Sequence, residues 1–109
     1  MDITGNAAAE VLISNSAALD VTGTLTTVDF TNNGTANISE NLISTGILNN
    51  TDALTVEGHA GLNDVANSGT LTLKNGADIH DLTNDNIVKI TGNANTNNVV
   101  NNKQMTVEG

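Results

Sequence analysis

The stretch Val65-Ala-Asn-Ser-Gly-Thr-Leu-Thr-Leu73 carries the pattern that decides the fold. Apolar residues, Asn67 and Gly69 fall at every second position, and Ala, Ser and Thr occupy the positions between them. A step of two is the period of a β-strand, whereas an amphipathic helix needs spacings of three and four. The stretch is therefore predicted to be extended, with one face turned inward.

This stretch belongs to a repeat of 17 residues. Similar segments begin at Ala53, Thr70, Ile87 and Gln104, and the intervals 70 − 53, 87 − 70 and 104 − 87 are each 17. One apolar column runs through the whole chain at intervals of 17 or 18: Ile3, Val21, Ile38, Val56, Leu73, Ile90 and Val107. So short and regular a repeat is typical of a solenoid, in which each repeat stacks on its neighbours.

One asparagine recurs in every repeat. The column consists of Asn15, Asn32, Asn50, Asn67, Asn84 and Asn101. Each of these residues lies between apolar columns at a predicted bend. This position favours an internal ladder, in which every side-chain amide bonds to the copies above and below it. A row of polar ligands for a sugar or an ion is the alternative function of the same column.

The period also predicts the shape of one coil. From Val65, seven steps of two and one step of three, from Ile79 to Leu82, complete 17 residues, so a corner is expected at the longer step. We predict an all-β, single-stranded parallel β-solenoid (β-helix) of six coils, each with 17–18 residues and about three short strands. We expect a right-handed, single domain over residues 1–109 without evident caps. At a strand spacing of about 4.8 Å, six coils make a rod roughly 29 Å long.

Composition excludes several classes of function. The net charge is −9, from 12 acidic and 3 basic side chains, which argues against binding to nucleic acid or to an anionic membrane surface. No run approaches the roughly 20 apolar residues of a membrane-spanning helix, and no segment in this chain has the pattern of a signal peptide. We therefore expect no membrane insertion. The absence of Cys excludes disulfides.

Few residues suggest chemistry. Asp78 and His80 are predicted to share an outward face near Asp81, but two neighbouring ligands without a third are a weak metal pattern. Polysaccharide-cleaving β-helix enzymes cluster their carboxylates, whereas other outward acids of this chain are predicted to be scattered: Asp20, Asp29, Glu57, Asp64 and Glu108. We expect no enzymatic activity, no catalytic residues, no cofactor, no metal and no small-molecule substrate.

Ice binding by a solenoid requires a flat and unbroken array of Thr. The outward column that comes nearest to such an array holds only short runs of it: Asp2, Asp20, Asn37, Thr55, Thr72, Lys89 and Thr106. An ice-binding solenoid is therefore the lesser alternative for the function of this chain.

The repeat also resembles those of known families. Asn67-Ser-Gly-Thr-Leu-Thr-Leu73, preceded by Val65, resembles the Asn-x-Gly-x-Leu repeats of filamentous-haemagglutinin adhesins and autotransporter passengers. Asn32-Asn-Gly-Thr-Ala36 and Asn50-Thr-Asp-Ala-Leu54 are looser copies. This resemblance implies a right-handed β-helical shaft on a bacterial surface. The coil is shorter than is usual there and is similar to the compact coils of bactofilins, which polymerise into filaments.

The first and last segments occupy the same phase of the repeat. Met1 and Ile3 fall in the columns of Met105 and Val107. A bare solenoid end exposes unpaired backbone and apolar side chains, which natural monomers cover. We therefore expect copies to stack head to tail, with Met1 and Ile3 against Met105 and Val107, in an extracellular or cell-surface filament of a bacterium or archaeon. The alternative is a fragment of the shaft of a large adhesin or autotransporter.

Overall fold

The computed structural model describes residues 2–108, apart from the side chains of residues 9–11. Within this range the chain forms strands and turns, and it contains no helix long and apolar enough to cross a membrane. The strands are β1 (Asp2–Ile3), β2 (Ala7–Asn15), β3 (Ala18–Val21), β4 (Leu25–Asn32), β5 (Thr35–Ile38), β6 (Leu42–Asn50), β7 (Ala53–Val56), β8 (Ala60–Asn67), β9 (Thr70–Leu73), β10 (Ala77–Asn84), β11 (Ile87–Thr91), β12 (Ala94–Asn101) and β13 (Gln104–Glu108).

These strands form two parallel sheets. The odd-numbered strands make a seven-stranded sheet in the order β1-β3-β5-β7-β9-β11-β13, and the even-numbered strands make a six-stranded sheet in the order β12-β10-β8-β6-β4-β2. Each strand inside these orders thus pairs with its equivalents one coil below and one coil above, as β10 does with β8 and β12. The predicted all-β parallel solenoid of about six coils is confirmed. It measures 32 × 24 × 20 Å.

The long strand of each coil contains the expected corner. In β10, Ile79 and Leu82 are buried, His80 is exposed and Asp81 is half-buried, so two consecutive side chains point outward. The pairing of β10 with both neighbours skips His80. The step of three therefore marks a corner inside a continuous element. The three short strands expected per coil take the form of one short strand and one long strand with a corner within it.

The extra residue of the 18-residue coils lies at the same corner. β2 and β6 have nine residues instead of eight, and the pairing register shifts between Ala9 and Leu12 and between Ser44 and Ile47. The backbone N–H of Ile47 donates to the Asp29 carboxylate of the preceding coil at 2.8 Å. This bond gives a partner to a backbone group at the irregular corner, and the columns on both sides of it stay in phase.

The core is a stack of apolar side chains between the two sheets. Phe30, the one aromatic residue, is fully buried, as are Leu48, Leu54, Leu71 and Leu73. Each large side chain that is fully buried contributes about 1.5–3 kcal/mol. Partly buried residues pack against this core towards its two ends: Ile3, Ala7, Ile13, Ala94 and Met105.

Close approach of two backbones explains one glycine of the repeat. Gly69 is buried at the turn between β8 and β9, and a Cβ placed on it would collide with the carbonyl oxygen of Asp52 in the preceding coil. Gly61, on the long strand β8, has open space around the position of a Cβ. Within one coil, therefore, the position of Gly69 has no room for a side chain, whereas the position of Gly61 has.

We predict that Gly69→Ala lowers the free energy of unfolding by roughly 2 kcal/mol, because the added methyl group pushes two coils apart. Gly61→Ala is the matched control and should change stability by less than about 0.5 kcal/mol. Urea denaturation followed by circular dichroism measures both effects. Equal stabilities of the two variants would contradict the close approach of the coils at Gly69.

Candidate functional site

The six asparagines of the repeated column form a continuous hydrogen-bonded ladder. Each side-chain nitrogen donates to the Oδ1 atom of the next asparagine along the stack, at 2.8–2.9 Å, in the order Asn15, Asn32, Asn50, Asn67, Asn84 and Asn101. Asn32, Asn50, Asn67 and Asn84 are at most 1% exposed. The column is thus an internal polar spine beside the apolar core.

Each of the first five rungs also binds the backbone at the turn that follows it. The Nδ2 atom of Asn67 donates to the carbonyl oxygen of Gly69 at 3.1 Å and to that of Ile87, in the next coil, at 2.7 Å. The two amide hydrogens are therefore shared among three acceptors. Throughout the described residues, every buried side-chain nitrogen and oxygen has a hydrogen-bond partner. Because a buried polar group without a partner is costly, the ladder is what allows a polar residue inside each turn.

The ladder has a direction, because every amide nitrogen points towards the C-terminal end of the stack. At the N-terminal end, the one bond that the Asn15 Oδ1 atom accepts from the described residues is long, 3.4 Å, from the backbone N–H of Ala17. At the other end, Asn101 is exposed, and its Nδ2 atom has no acceptor among residues 2–108. The two ends of the spine therefore present complementary groups, an acceptor and a donor.

The backbone edges and apolar columns are also open at both ends of the described stack. In the part of the chain that the structure describes, β1 and β2 each pair on one side only, and so do β12 and β13. Val107 is 47% exposed, although Ile90, below it in the same column, is fully buried. Ile3 and Met105 are half-buried, and Met1 lies outside the described residues.

A first pair of titratable side chains joins two coils on the outer surface. The Nε2 atom of His59 lies 3.0 Å from a carboxylate oxygen of Asp78, and its Nδ1 atom lies 3.3 Å from the carbonyl oxygen of Asn75. Asn95 donates to the other oxygen of Asp78 at 2.8 Å. The hydrogen bonds from Asn95 and, to a lesser extent, from His59 lower the pKa of Asp78. The carboxylate is therefore ionised at neutral pH.

A second group lies at the corner of the long strands. Asp81 of β10 is directly opposite Asp64 of β8, and the Nδ1 atom of His80 lies 3.2 Å from a carboxylate oxygen of Asp81. Asn98 donates to the Asp81 carboxylate at 2.8 Å, and this bond is the main cause of the lowered pKa of Asp81. The expectation that the outward acids are scattered rather than stacked is therefore wrong for Asp64, and also for Asp20, which is directly opposite Asp2. Since 81 − 64 is 17, one repeat length, the stacking was visible in the sequence.

The outward Thr column is interrupted, as its sequence indicated. Thr55 and Thr72 are in register, but Lys89 follows them before Thr106. Lys89 also forms an ion pair with Glu108, with an N–O distance of 3.6 Å. The column therefore lacks the continuous flat array that an ice-binding surface requires.

Comparison of the chain with models of protein families, with curated proteins and with solved structures finds no match. The resemblance of its repeats to those of adhesins, autotransporter passengers and bactofilins therefore stays a prediction from the residues themselves.

We predict that Asn50→Ala lowers the free energy of unfolding by about 2–3 kcal/mol, because it interrupts the spine and leaves buried polar groups without partners. Asn49→Ala, one residue earlier and exposed on the same strand, is the matched control with an expected effect below about 0.5 kcal/mol. Denaturant titration of the two variants measures the difference. A loss for Asn50→Ala no larger than that of its control would contradict a structural role for the spine.

Proposed function

We propose that this chain is a structural, self-associating β-solenoid whose copies stack head to tail into an extracellular or cell-surface filament of a bacterium or archaeon. The observation that carries the proposal is the complementarity of the two ends of the stack. Both ends of the described stack present strands of the same two sheets with one free edge each, and the spine offers a donor at Asn101 and an acceptor at Asn15. The placement outside the cell follows the resemblance of the repeats to adhesin shafts.

Open sheet edges are a strong reason for association. An exposed strand edge offers a row of backbone donors and acceptors to another strand, and monomeric proteins protect such edges. At the C-terminal end, Val99 and Val100 add apolar surface to the edge of β12, and Val107 adds it to the edge of β13. A repeated contact between two different ends does not close on itself, so it generates an open fibre.

The number of strands restricts how two copies can join. The odd-numbered sheet has seven strands and the even-numbered sheet has six. If β1 of one copy paired directly with β13 of another, the odd-numbered sheet would be continuous. The even-numbered sheet would then lack one strand between β12 and β2 of the next copy. Such a junction would leave a gap the length of one long strand in the wall of the solenoid.

Displacement of β1 removes this gap. Among residues 2–108, β1 pairs with β3 at two positions, Asp2 with Asp20 and Ile3 with Val21. If β13 of one copy takes the place of β1 on β3 of the next copy, then β12 meets β2, and both sheets become continuous. Val107 occupies the same column as Ile3, so it would lie on Val21 of the next copy. Asn101 of the first copy would then donate to Asn15 of the second.

A shaft segment of a large adhesin is the second candidate. Its support is the same pair of open edges, because further coils of one polypeptide could complete them as well as a second copy could. The two candidates differ in what the chain does by itself, since only the filament subunit needs its ends to recognise each other.

We predict that the purified chain forms fibres under the electron microscope and that Val107→Asp abolishes them without loss of the β-sheet circular dichroism spectrum. A charge buried without a partner at the junction opposes stacking. Thr72→Asp adds the same charge to an outward position in the middle of the rod and is the matched control, with fibres expected to remain. A wild-type protein that stays monomeric at all concentrations would overturn self-association and leave the shaft candidate.

Ile3→Asp separates the two forms of the junction in the same experiment. It weakens the contact of β1 with β3, so fibres should form at least as readily as in the wild type if β13 displaces β1. If β1 instead stacks directly on β13, the same substitution should abolish the fibres. That second result would overturn the displacement but not the self-association.

A further inference from the structure

Two carboxylates and an imidazole meet at the corner of adjacent coils, on strands β8 and β10, which are paired on both sides. Asp64 and Asp81 are directly opposite each other on β8 and β10, and His80 immediately precedes Asp81. One ligand atom from each of Asp64, His80 and Asp81 lies within 4.8 Å of the other two. The parallel register of the strands sets this arrangement, since it stacks residues one repeat apart.

The charges of this group are poorly balanced. Like charges directly opposite each other on neighbouring strands are unfavourable, and the carboxylates of Asp64 and Asp81 are directly opposite each other on β8 and β10. Two of the three lysines of the chain form ion pairs elsewhere, Lys74 with Glu57 at 3.0 Å and Lys89 with Glu108 at 3.6 Å. A cation that bound between the two carboxylates would remove their mutual repulsion.

Side chains of the next coil orient two of the three ligands. The Nδ2 atom of Asn98 donates to Asp81 at 2.8 Å, and the Nδ2 atom of Asn97 lies 3.4 Å from the Nε2 atom of His80. The Nδ1 atom of His80 is left facing Asp81. A bond such as that from Asn98 fixes the orientation of a ligating carboxylate. A donor at Asn97 Nδ2 leaves the proton of a neutral imidazole on Nδ1, so metal binding through Nδ1 requires the Asn97 amide to rotate. The amide oxygen of Asn97, after rotation of its amide group, can accept from the Nε2–H of an imidazole that binds metal through Nδ1.

We propose that Asp64, His80 and Asp81 bind a Zn²⁺-class divalent cation that clips two neighbouring coils together. One imidazole nitrogen and two carboxylate oxygens are ligands typical of zinc, and water completes the coordination. Zn–N and Zn–O bonds of about 2.0–2.2 Å place the ligand atoms roughly 3.4 Å apart, so small side-chain rotations suffice to close the site. The imidazole favours zinc over the oxygen-preferring Mg²⁺ and Ca²⁺.

The chain contains an internal control for this site. His59 and Asp78 form the same kind of pair, with a distance of 3.0 Å between nitrogen and oxygen. The other ring nitrogen of His59 faces the carbonyl oxygen of Asn75. Among the described residues, this pair has no third ligand close enough to complete a group of three. A histidine–aspartate pair alone should therefore bind the cation far more weakly.

Isothermal titration with ZnCl₂ at about pH 7.5, after treatment of the protein with a chelator, tests the proposal. We expect one Zn²⁺ per chain, with binding at least about tenfold weaker in His80→Asn and in Asp64→Asn, and within about twofold of wild type in His59→Asn. Circular dichroism verifies that each variant is folded. No zinc binding by the wild-type chain, or equal losses in His59→Asn and His80→Asn, would overturn the site.

Thermal unfolding distinguishes a zinc site from three side chains that only stabilise the fold, since only a zinc site makes the melting temperature depend on the metal. Zn²⁺ should raise the melting temperature of the wild-type chain, and a chelator should reverse the increase. Without metal, Asp64→Asn should melt at or above the wild-type temperature, because it removes one of two opposed charges. A lower melting temperature of metal-free Asp64→Asn would show that Asp64 stabilises the fold without metal. It would contradict the claim that the two opposed carboxylates repel each other until a cation binds.

Discussion

A nearly constant chain length per coil, 17 or 18 residues, is the constraint on which this structure depends. The buried amide of Asn50 bonds to Asn32 below it and donates to Asn67 above it, and these bonds exist only if each coil returns the asparagine to the same place. A slip by one residue would turn every inward side chain of a strand outward. The spine of asparagines therefore fixes the register, and the apolar columns beside it supply most of the stabilisation.

The corner of the long strand is where this constraint is relaxed. The extra residues of β2 and β6 are both accommodated there, and the carboxylate of Asp29 gives a partner to the backbone N–H of Ile47. The same corner places two consecutive side chains outward, as at His80 and Asp81. It is thus the position at which the coil can vary in length and carry polar side chains without disturbing the core.

Most of the fold could be predicted from the sequence because a solenoid repeats one local rule. The step of two from Val65 to Ile79, and the step of three to Leu82, predict the strands and the corner that the structure contains. The continuation of one strand through the corner was not predictable, since it depends on backbone pairing with the coils on either side. The stacking of Asp64 on Asp81 follows from the pairing between coils, and only their separation of one repeat length indicates it in the sequence.

The most direct test of the account is a nuclear Overhauser spectrum of the side-chain amides of the ¹⁵N-labelled chain. In-register stacking predicts cross-peaks between the amide protons of consecutive rungs, such as Asn67 and Asn84, and none between rungs two coils apart. The hydrogen bond between these two side chains, 2.9 Å from Nδ2 to Oδ1, brings their atoms close enough for such a contact. Well-dispersed spectra without these cross-peaks would contradict the spine, and with it the register that orders the whole stack.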